Sequence, residues 1–111
     1  MKLTAAALLG LSLASLYGGY CLCPVNTAGG HALAYPLGGH FHIPHGLSNA
    51  LVLPHVLGFN ASVAAPLYAE LAPLVLGAKL RPGSAMEQTE QFILELADCS
   101  ERCGLPTRLR D

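Results

Sequence analysis

Three features of the sequence predict an all-α fold built from short helices. Alanine and leucine, which favour helix, dominate residues 3–20. No stretch alternates apolar and polar residues in the way that a half-buried strand would. Proline and glycine recur between and within the apolar segments, so we expect the helices to be short and interrupted.

The first predicted helix covers residues 3–20 and is apolar on all sides, which is typical of a fully buried helix or a membrane span. We expect Pro24 to interrupt or kink it. Residues 26–30 could then cap or restart a helix that leads into His31. The breaker cluster at residues 36–39 predicts a loop that continues through residue 44.

Two more helices are expected at residues 45–59 and 61–76. Pro54 should kink or divide the first of them. Pro66 suits the first turn of the second, whereas Pro73 would lie in its interior. Residues 79–83 form the clearest linker.

The last helix is the best defined by the sequence. Ser84 and Glu87 have the spacing of a capping box, and Gly104 is a natural stop. A stripe of residues at helical spacing is expected to face inward: Thr89, Phe92, Ile93, Leu96 and Cys103.

Charge is distributed very unevenly along the chain. Lys2 is the only charged residue before Glu70, and the net charge of the chain is −1. A near-neutral chain gives no electrostatic reason to expect a nucleic-acid partner. A long uncharged segment is expected inside a larger protein or in a membrane, because independent soluble domains spread charge over their whole surface. We therefore interpret the chain as interior cut from a larger protein.

The N-terminus also permits a different interpretation. Lys2 followed by the apolar residues 3–14 imitates a secretory signal, and residues 3–23 are long enough to span a membrane. The four cysteines have no spacing that suggests a disulfide framework, so we expect free, buried thiols. They are Cys21, Cys23, Cys99 and Cys103.

All five histidines fall within 25 positions, between His31 and His55. Imidazole is a common ligand for transition metals, which makes His31 and His45 candidate ligands. Both flank the glycine- and proline-rich segment. His40 and His42 are one residue apart, and at least one is expected to face solvent. His55 lies among leucines, where packing is a better explanation than ligation.

The sequence GHALAYPLGGHFHIPHG at residues 30–46 resembles the signature of the iron-containing alcohol dehydrogenases. The similarity continues through residues 47–60. Upstream, residues 14–19 and 24–28 are similar to the helix before that signature. Downstream, residues 103–111 resemble a segment near the C-terminus of the family.

The resemblance implies a partial C-terminal helical domain, residues 1–111, with the dehydroquinate-synthase-like architecture of this family. The intact enzymes combine it with an N-terminal nucleotide-binding domain and use NAD or NADP. They bind a divalent ion, most often Fe²⁺ and sometimes Zn²⁺, through an aspartate and three histidines. Two of these histidines correspond to His31 and His45. The resemblance further implies alcohol or aldehyde substrates, a cytoplasmic location, and association with other dehydrogenase subunits.

Two departures from the family pattern stand out. Many members carry a histidine where this chain has Tyr35, and a tyrosine relays protons less readily than imidazole at neutral pH. The chain also has no glycine-rich phosphate-binding turn and no aspartate upstream of the signature. The sequence assigns no catalytic residue and no nucleotide-binding residue. We therefore expect a fragment of a metal-dependent dehydrogenase that is inactive alone.

Two alternatives remain open at this point. One is a small exported or membrane-anchored, histidine-rich metal-binding protein. The other is a module that packs against a dehydrogenase partner and supplies missing helices, with the uncharged segment as its interface.

Overall fold

The computed structural model describes residues 4–106, without the side chains of residues 23–25. This part of the chain contains α1 (Ala5–Val25), α2 (Gly29–Phe41), α3 (His45–Leu76) and α4 (Ala85–Arg102), with a short 3-10 turn at Gly77–Lys79. No strand occurs among these residues. The predicted all-α fold is confirmed.

Thr4 is the N-cap of α1, and its hydroxyl oxygen accepts a hydrogen bond from the N–H of Ala7 at 3.2 Å. The helix runs to Val25, five residues beyond the predicted end. All residues from 4 to 22 are exposed, and α1 packs against none of the other described helices. By length and composition alone, α1 and α3 could each cross a membrane, a test that core helices of soluble proteins also pass.

Helix α2 extends to Phe41, so the predicted loop at residues 36–44 is wrong for most of its length. Only residues 42–44 lie between the helices. Pro36 is tolerated inside α2 because it lies on an exposed side of the helix. Ala32, whose carbonyl loses its usual intrahelical partner, is exposed as well, so water can reach that oxygen.

The connection from α2 to α3 is a tight turn. His42 adopts a left-handed conformation with φ of 55°, and its N–H donates to the carbonyl of Gly38 at 3.1 Å. The N–H of Ile43 donates to the carbonyl of Leu37 at 3.3 Å. These bonds satisfy carbonyls at the end of α2, as left-handed helix caps generally do. The chain then turns directly into α3.

Helix α3 runs for 32 residues without a break, so the predicted helices at 45–59 and 61–76 are a single element. Pro54, Pro66 and Pro73 all lie within it. Pro66 is therefore an interior residue rather than part of a first turn. The helix packs on two neighbours, α2 and α4, and this tertiary packing stabilises it as one element.

Helices α3 and α4 pack side by side through small residues on α3. Ala61, Ala65 and Ala72 are buried there, and they allow a close approach of the two helices. The buried hydroxyl of Thr89 donates to the carbonyl of Ala65 at 3.0 Å. Tyr68 lies against the buried Phe92, with ring centroids 6.2 Å apart. Residues 65 and 68 of α3 thus lie beside residues 89 and 92 of α4, in the same chain order. Helices α3 and α4 are therefore parallel.

Because the two helices are parallel, the chain must run back from the end of α3 to the start of α4. Residues 80–84, which are not helical, make this connection. The side chain of Gln91 pins this segment to α4. It accepts from the N–H of Arg81 at 2.8 Å and donates to the carbonyl of Arg81 at 3.1 Å. Lys79 pairs with Glu95 at 2.9 Å, and this contact lowers the pKa of Glu95. The prediction of a linker in this region is therefore correct.

The predicted capping box of α4 is confirmed. The Ser84 hydroxyl oxygen accepts from the N–H of Glu87 at 3.3 Å, and the N–H of Ser84 donates to the Glu87 carboxylate at 2.7 Å. This second bond is the main reason that the pKa of Glu87 is lowered. Gly104 follows the helix with φ of 76°, as expected of a residue that ends a helix.

The cysteines differ from the prediction in one respect. Cys21, Cys99 and Cys103 have free thiols, as expected, but all three are exposed rather than buried. Cys103 is the first residue after α4, where the helical stripe no longer determines which way a side chain faces. The other members of that stripe are buried or half-buried. The side chain of Cys23 and residues 107–111 lie outside the described part.

We predict that Ser84→Ala lowers the free energy of unfolding by about 1 kcal/mol, because it removes the side-chain acceptor of the α4 cap. Ser62→Ala is the matched control, since Ser62 is an exposed serine inside α3. Urea unfolding followed by circular dichroism would measure both variants. Equal stability of the two would contradict the cap assignment.

We also predict that removing residues 1–25 changes the free energy of unfolding of the remaining helices by less than about 0.5 kcal/mol. The reason is that α1 contributes no packing to them. The same truncation should reduce self-association, which is measurable by analytical ultracentrifugation, because α1 exposes many leucines. Removing residues 84–111 is the control and should unfold the chain, since α4 covers α3. A large loss of stability in the first truncation would show that α1 packs on the other helices.

Candidate functional site

The candidate site lies where the beginning of α2 meets the beginning of α3. His31 is in the first turn of α2, and His45 is the first residue of α3. The two helices pack closely because Ala34 and Ser48 are fully buried between them. The Ser48 hydroxyl donates to the carbonyl of Pro44 at 3.2 Å, which ties the first turn of α3 to the preceding turn.

This packing brings together the two histidines that the sequence analysis singled out. The ring centroids of His31 and His45 are 5.2 Å apart, with an angle of 47° between the ring planes. His31 is half-buried, whereas His45 is exposed. The two imidazoles therefore form a site that is open to solvent on one side, and we call this pair of side chains the histidine corner.

Tyr35 completes a triangle of rings with the histidine pair. Its ring is nearly parallel to that of His45, at a centroid distance of 6.0 Å and an angle of 18°. It lies edge-on to His31, one helical turn away, at 6.1 Å. Tyr35 is exposed, so its hydroxyl group is available to a bound molecule beside the pair.

The spacing of the two imidazoles fits a shared metal ion. With a metal–nitrogen bond of about 2.1 Å and roughly 1 Å from nitrogen to ring centre, two imidazoles on a tetrahedral ion have centroids about 5 Å apart. The observed 5.2 Å agrees with this value. Imidazole nitrogen is also a suitable donor for Fe²⁺ and for Zn²⁺.

The remaining histidines are not part of this corner. His40 lies in the last turn of α2, against Phe41 at 6.5 Å, and His42 forms the turn. Both are exposed. His55 is exposed on α3, as the surface-packing interpretation allows. It borders an apolar groove of about 600 Å³ between α2 and α3.

Two imidazoles alone do not make a complete catalytic metal site, which generally has three or more protein ligands. Within residues 4–106, no group of three or more histidine, cysteine, aspartate or glutamate side chains is placed to hold an ion. The surrounding sequence is also uncharged, because Glu70 is the first acidic residue of the chain. Any carboxylate that balanced the charge of a divalent ion would have to come from elsewhere.

Asn49 is a site residue that the sequence analysis did not single out. It lies one turn after His45 on α3, and its side-chain N–H donates to the carbonyl of His45 at 3.0 Å. The signal that could have found it is the i,i+4 spacing from His45, which puts both side chains on one face of the helix.

Comparison with known proteins places the chain in a family. Residues 5–111 match the C-terminal part of the family described as Fe-containing alcohol dehydrogenases. No solved structure shows significant similarity to the chain.

Several curated bacterial enzymes are similar to the chain. The 1,3-propanediol dehydrogenase of Klebsiella pneumoniae is 34% identical over 101 residues, which cover 91% of this chain and 26% of that enzyme. The lactaldehyde reductase of Escherichia coli K12 is 37% identical over 82 residues, covering 73% of the chain and 21% of the enzyme. Long-chain-alcohol dehydrogenase 1 of Geobacillus thermodenitrificans is 37% identical over 95 residues, covering 86% and 24%.

The chain spans about a quarter of the length of these relatives. The matched family segment includes all four helices and the histidine corner. The resemblance inferred from residues 30–46 is thereby confirmed. The chain belongs to the Fe-containing alcohol dehydrogenase family and corresponds to its C-terminal helical part.

Proposed function

We propose that this chain is the helical, metal-binding part of an NAD(P)-dependent alcohol dehydrogenase or aldehyde reductase. The observation that carries the proposal is the 5.2 Å separation of the His31 and His45 rings, in a chain that belongs to this family. Relatives named as propanediol, propanol and long-chain-alcohol dehydrogenases and a lactaldehyde reductase support alcohols or aldehydes as substrates of the intact enzyme.

The two imidazoles would supply part of the coordination of one divalent ion, Fe²⁺ in our first choice and Zn²⁺ in our second. Such an ion, when bound, acts as a Lewis acid on the oxygen of an alcohol or carbonyl group while a nicotinamide exchanges hydride with the carbon. Each imidazole would bind the ion through the lone pair of one ring nitrogen. With no carboxylate in the corner, binding by this chain alone should be weak.

Tyr35 would face the substrate side of the corner. Its exposed ring lies beside both imidazoles, so its hydroxyl group can donate a hydrogen bond to an oxygen held next to the ion. A phenol in this position orients the substrate more effectively than it carries protons at neutral pH. We therefore assign Tyr35 to substrate positioning.

The cytoplasm is the proposed location, and the exported metal-binding protein is the less favoured alternative. The family match begins at residue 5 and so includes all of α1. This supports α1 as a helix of the domain rather than a signal or an anchor. N-terminal sequencing of the expressed protein separates the two, because export would produce a mature start near Ser15.

We predict that His31→Ala and His45→Ala each weaken Zn²⁺ binding by at least roughly tenfold, because each removes one of two ligands. Equilibrium dialysis of the full 111-residue chain against Zn²⁺, and anaerobically against Fe²⁺, measures the effect.

The matched control is His55→Ala, since this exposed histidine lies on the same helix but outside the corner. It should bind metal like the unmodified chain. Equal loss in all three variants, or in none of them, would contradict a site at His31 and His45.

We further predict that the chain alone does not oxidise 1,3-propanediol or 1-propanol with NAD or NADP. Its described residues include no strand and so provide no strand-to-helix turn on which a nicotinamide dinucleotide could bind. Absorbance of the reduced cofactor during incubation with Fe²⁺ measures turnover. Sustained reduction that depends on His31 would show that the chain holds a nucleotide site that we have not identified.

A further inference from the structure

We propose that Asn49 is a positioning residue that fixes the orientation of the His45 imidazole within the histidine corner. This inference rests on the proposed function, because it concerns how one of the two ligands is held. It assigns no direct contact between Asn49 and the metal.

The side-chain amide of Asn49 contacts both the backbone and the ring of His45. Its nitrogen donates to the His45 carbonyl at 3.0 Å. The same nitrogen lies 3.2 Å from Nε2 and 3.4 Å from Nδ1 of the imidazole. A donor aimed at the lone pair of one ring nitrogen would lie much farther from the other. The near-equal distances therefore place the amide over the face of the ring.

This position orients the ring without occupying its ligand atoms. The lone pairs of an imidazole lie in the plane of the ring, and a group over the face blocks neither of them. The backbone hydrogen bond holds the amide, and the amide then restricts rotation of the His45 side chain. Both ring nitrogens remain free to bind an ion.

His45 needs such support because its ring neighbours, His31 and Tyr35, lie at centroid distances of 5.2 and 6.0 Å and form no hydrogen bond with it in the described part of the chain. It is exposed, it is the first residue of α3, and Pro44 before it provides no side-chain cap. Among the described residues, Asn49 is the only side chain within hydrogen-bond distance of the His45 ring. A ligand that is already oriented loses less conformational entropy when it binds an ion.

Asn49 is itself held between the two helices that carry the histidines. It is half-buried, and its amide oxygen would be 3.9 Å from a Cβ atom at position 30, which is glycine. Gly30 directly precedes His31, so the amide lies in the gap between the ligand-bearing turns. Asn49 thus couples the orientation of His45 to the packing of α2 on α3.

Nuclear magnetic resonance of the metal-free chain tests the contact itself. An amide proton over an aromatic face is shifted upfield by the ring current. We expect an upfield shift of the Asn49 side-chain N–H resonances that disappears in His45→Ala. Ordinary shifts that are unchanged by His45→Ala would overturn the proposal, whatever the chain does with metals.

Cobalt binding tests the consequence. We expect Asn49→Ala to weaken Co²⁺ binding about tenfold, in the range found for groups that orient metal ligands, and to change the visible spectrum of the bound ion. Asn49→Ser should be equally weak, because its hydroxyl can reach the His45 carbonyl but not the ring. Asn60→Ala is the matched control, an exposed asparagine on the same helix, and should bind like the unmodified chain.

The outcomes separate this inference from the proposed function. If His31→Ala weakens Co²⁺ binding but Asn49→Ala does not, the proposed metal site at the histidine corner is supported and the role of Asn49 is wrong. Full recovery in Asn49→Ser would also overturn the role, because it would assign the loss to the helix backbone rather than to the ring.

If neither histidine variant affects binding, the proposed function fails. The metal-free resonance experiment then still decides whether Asn49 orients His45. Circular dichroism of each variant excludes loss of helix as the cause.

Discussion

Between Phe41 and His45 the chain turns back on itself in three residues, and the position of both candidate ligands follows from that turn. The left-handed residue His42 ends α2, and the buried Ser48 ties the first turn of α3 to Pro44 at the end of the connection. Because Ser48 and Ala34 fill the space between the helices with small side chains, the helices approach closely. The rings of His31 and His45 then lie side by side, although most of α2 and the connecting turn separate the two residues along the chain. The histidine corner therefore depends on both the turn and the packing of α2 on α3.

The sequence predicted best what depends on neighbouring residues alone. The Ser84–Glu87 capping box and the Gly104 stop are local motifs, and both are present. It predicted least well where tertiary packing overrides a local preference. Pro36 and Pro54 were expected to end or divide helices, yet α2 and α3 continue through them. Pro36 lies on an exposed side of α2, and α3 packs on both α2 and α4. The histidine pair was indicated by composition and resemblance, whereas the 5.2 Å spacing required the packed helices.

The uncharged first two-thirds of the chain has a structural explanation in the family to which it belongs. Helix α1 and the outer side of α3 expose leucine, valine and phenylalanine side chains that a self-sufficient domain would cover. The relatives are about four times as long as the matched segment. Only the α2–α3 and α3–α4 contacts bury a core among the described residues. The part of the chain that carries the histidines therefore packs on a neighbouring helix, whereas α1 packs on none of the other described helices.

The most direct test of this account is a Zn²⁺ titration of the full chain with ¹⁵N-labelled histidine, observed at the ring nitrogens. The account predicts that His31 and His45 shift together, with one end point at a single equivalent of metal, while His40, His42 and His55 stay in place. Separate end points for His31 and His45, or a first response at any other histidine, would contradict the claim that these two imidazoles share one ion.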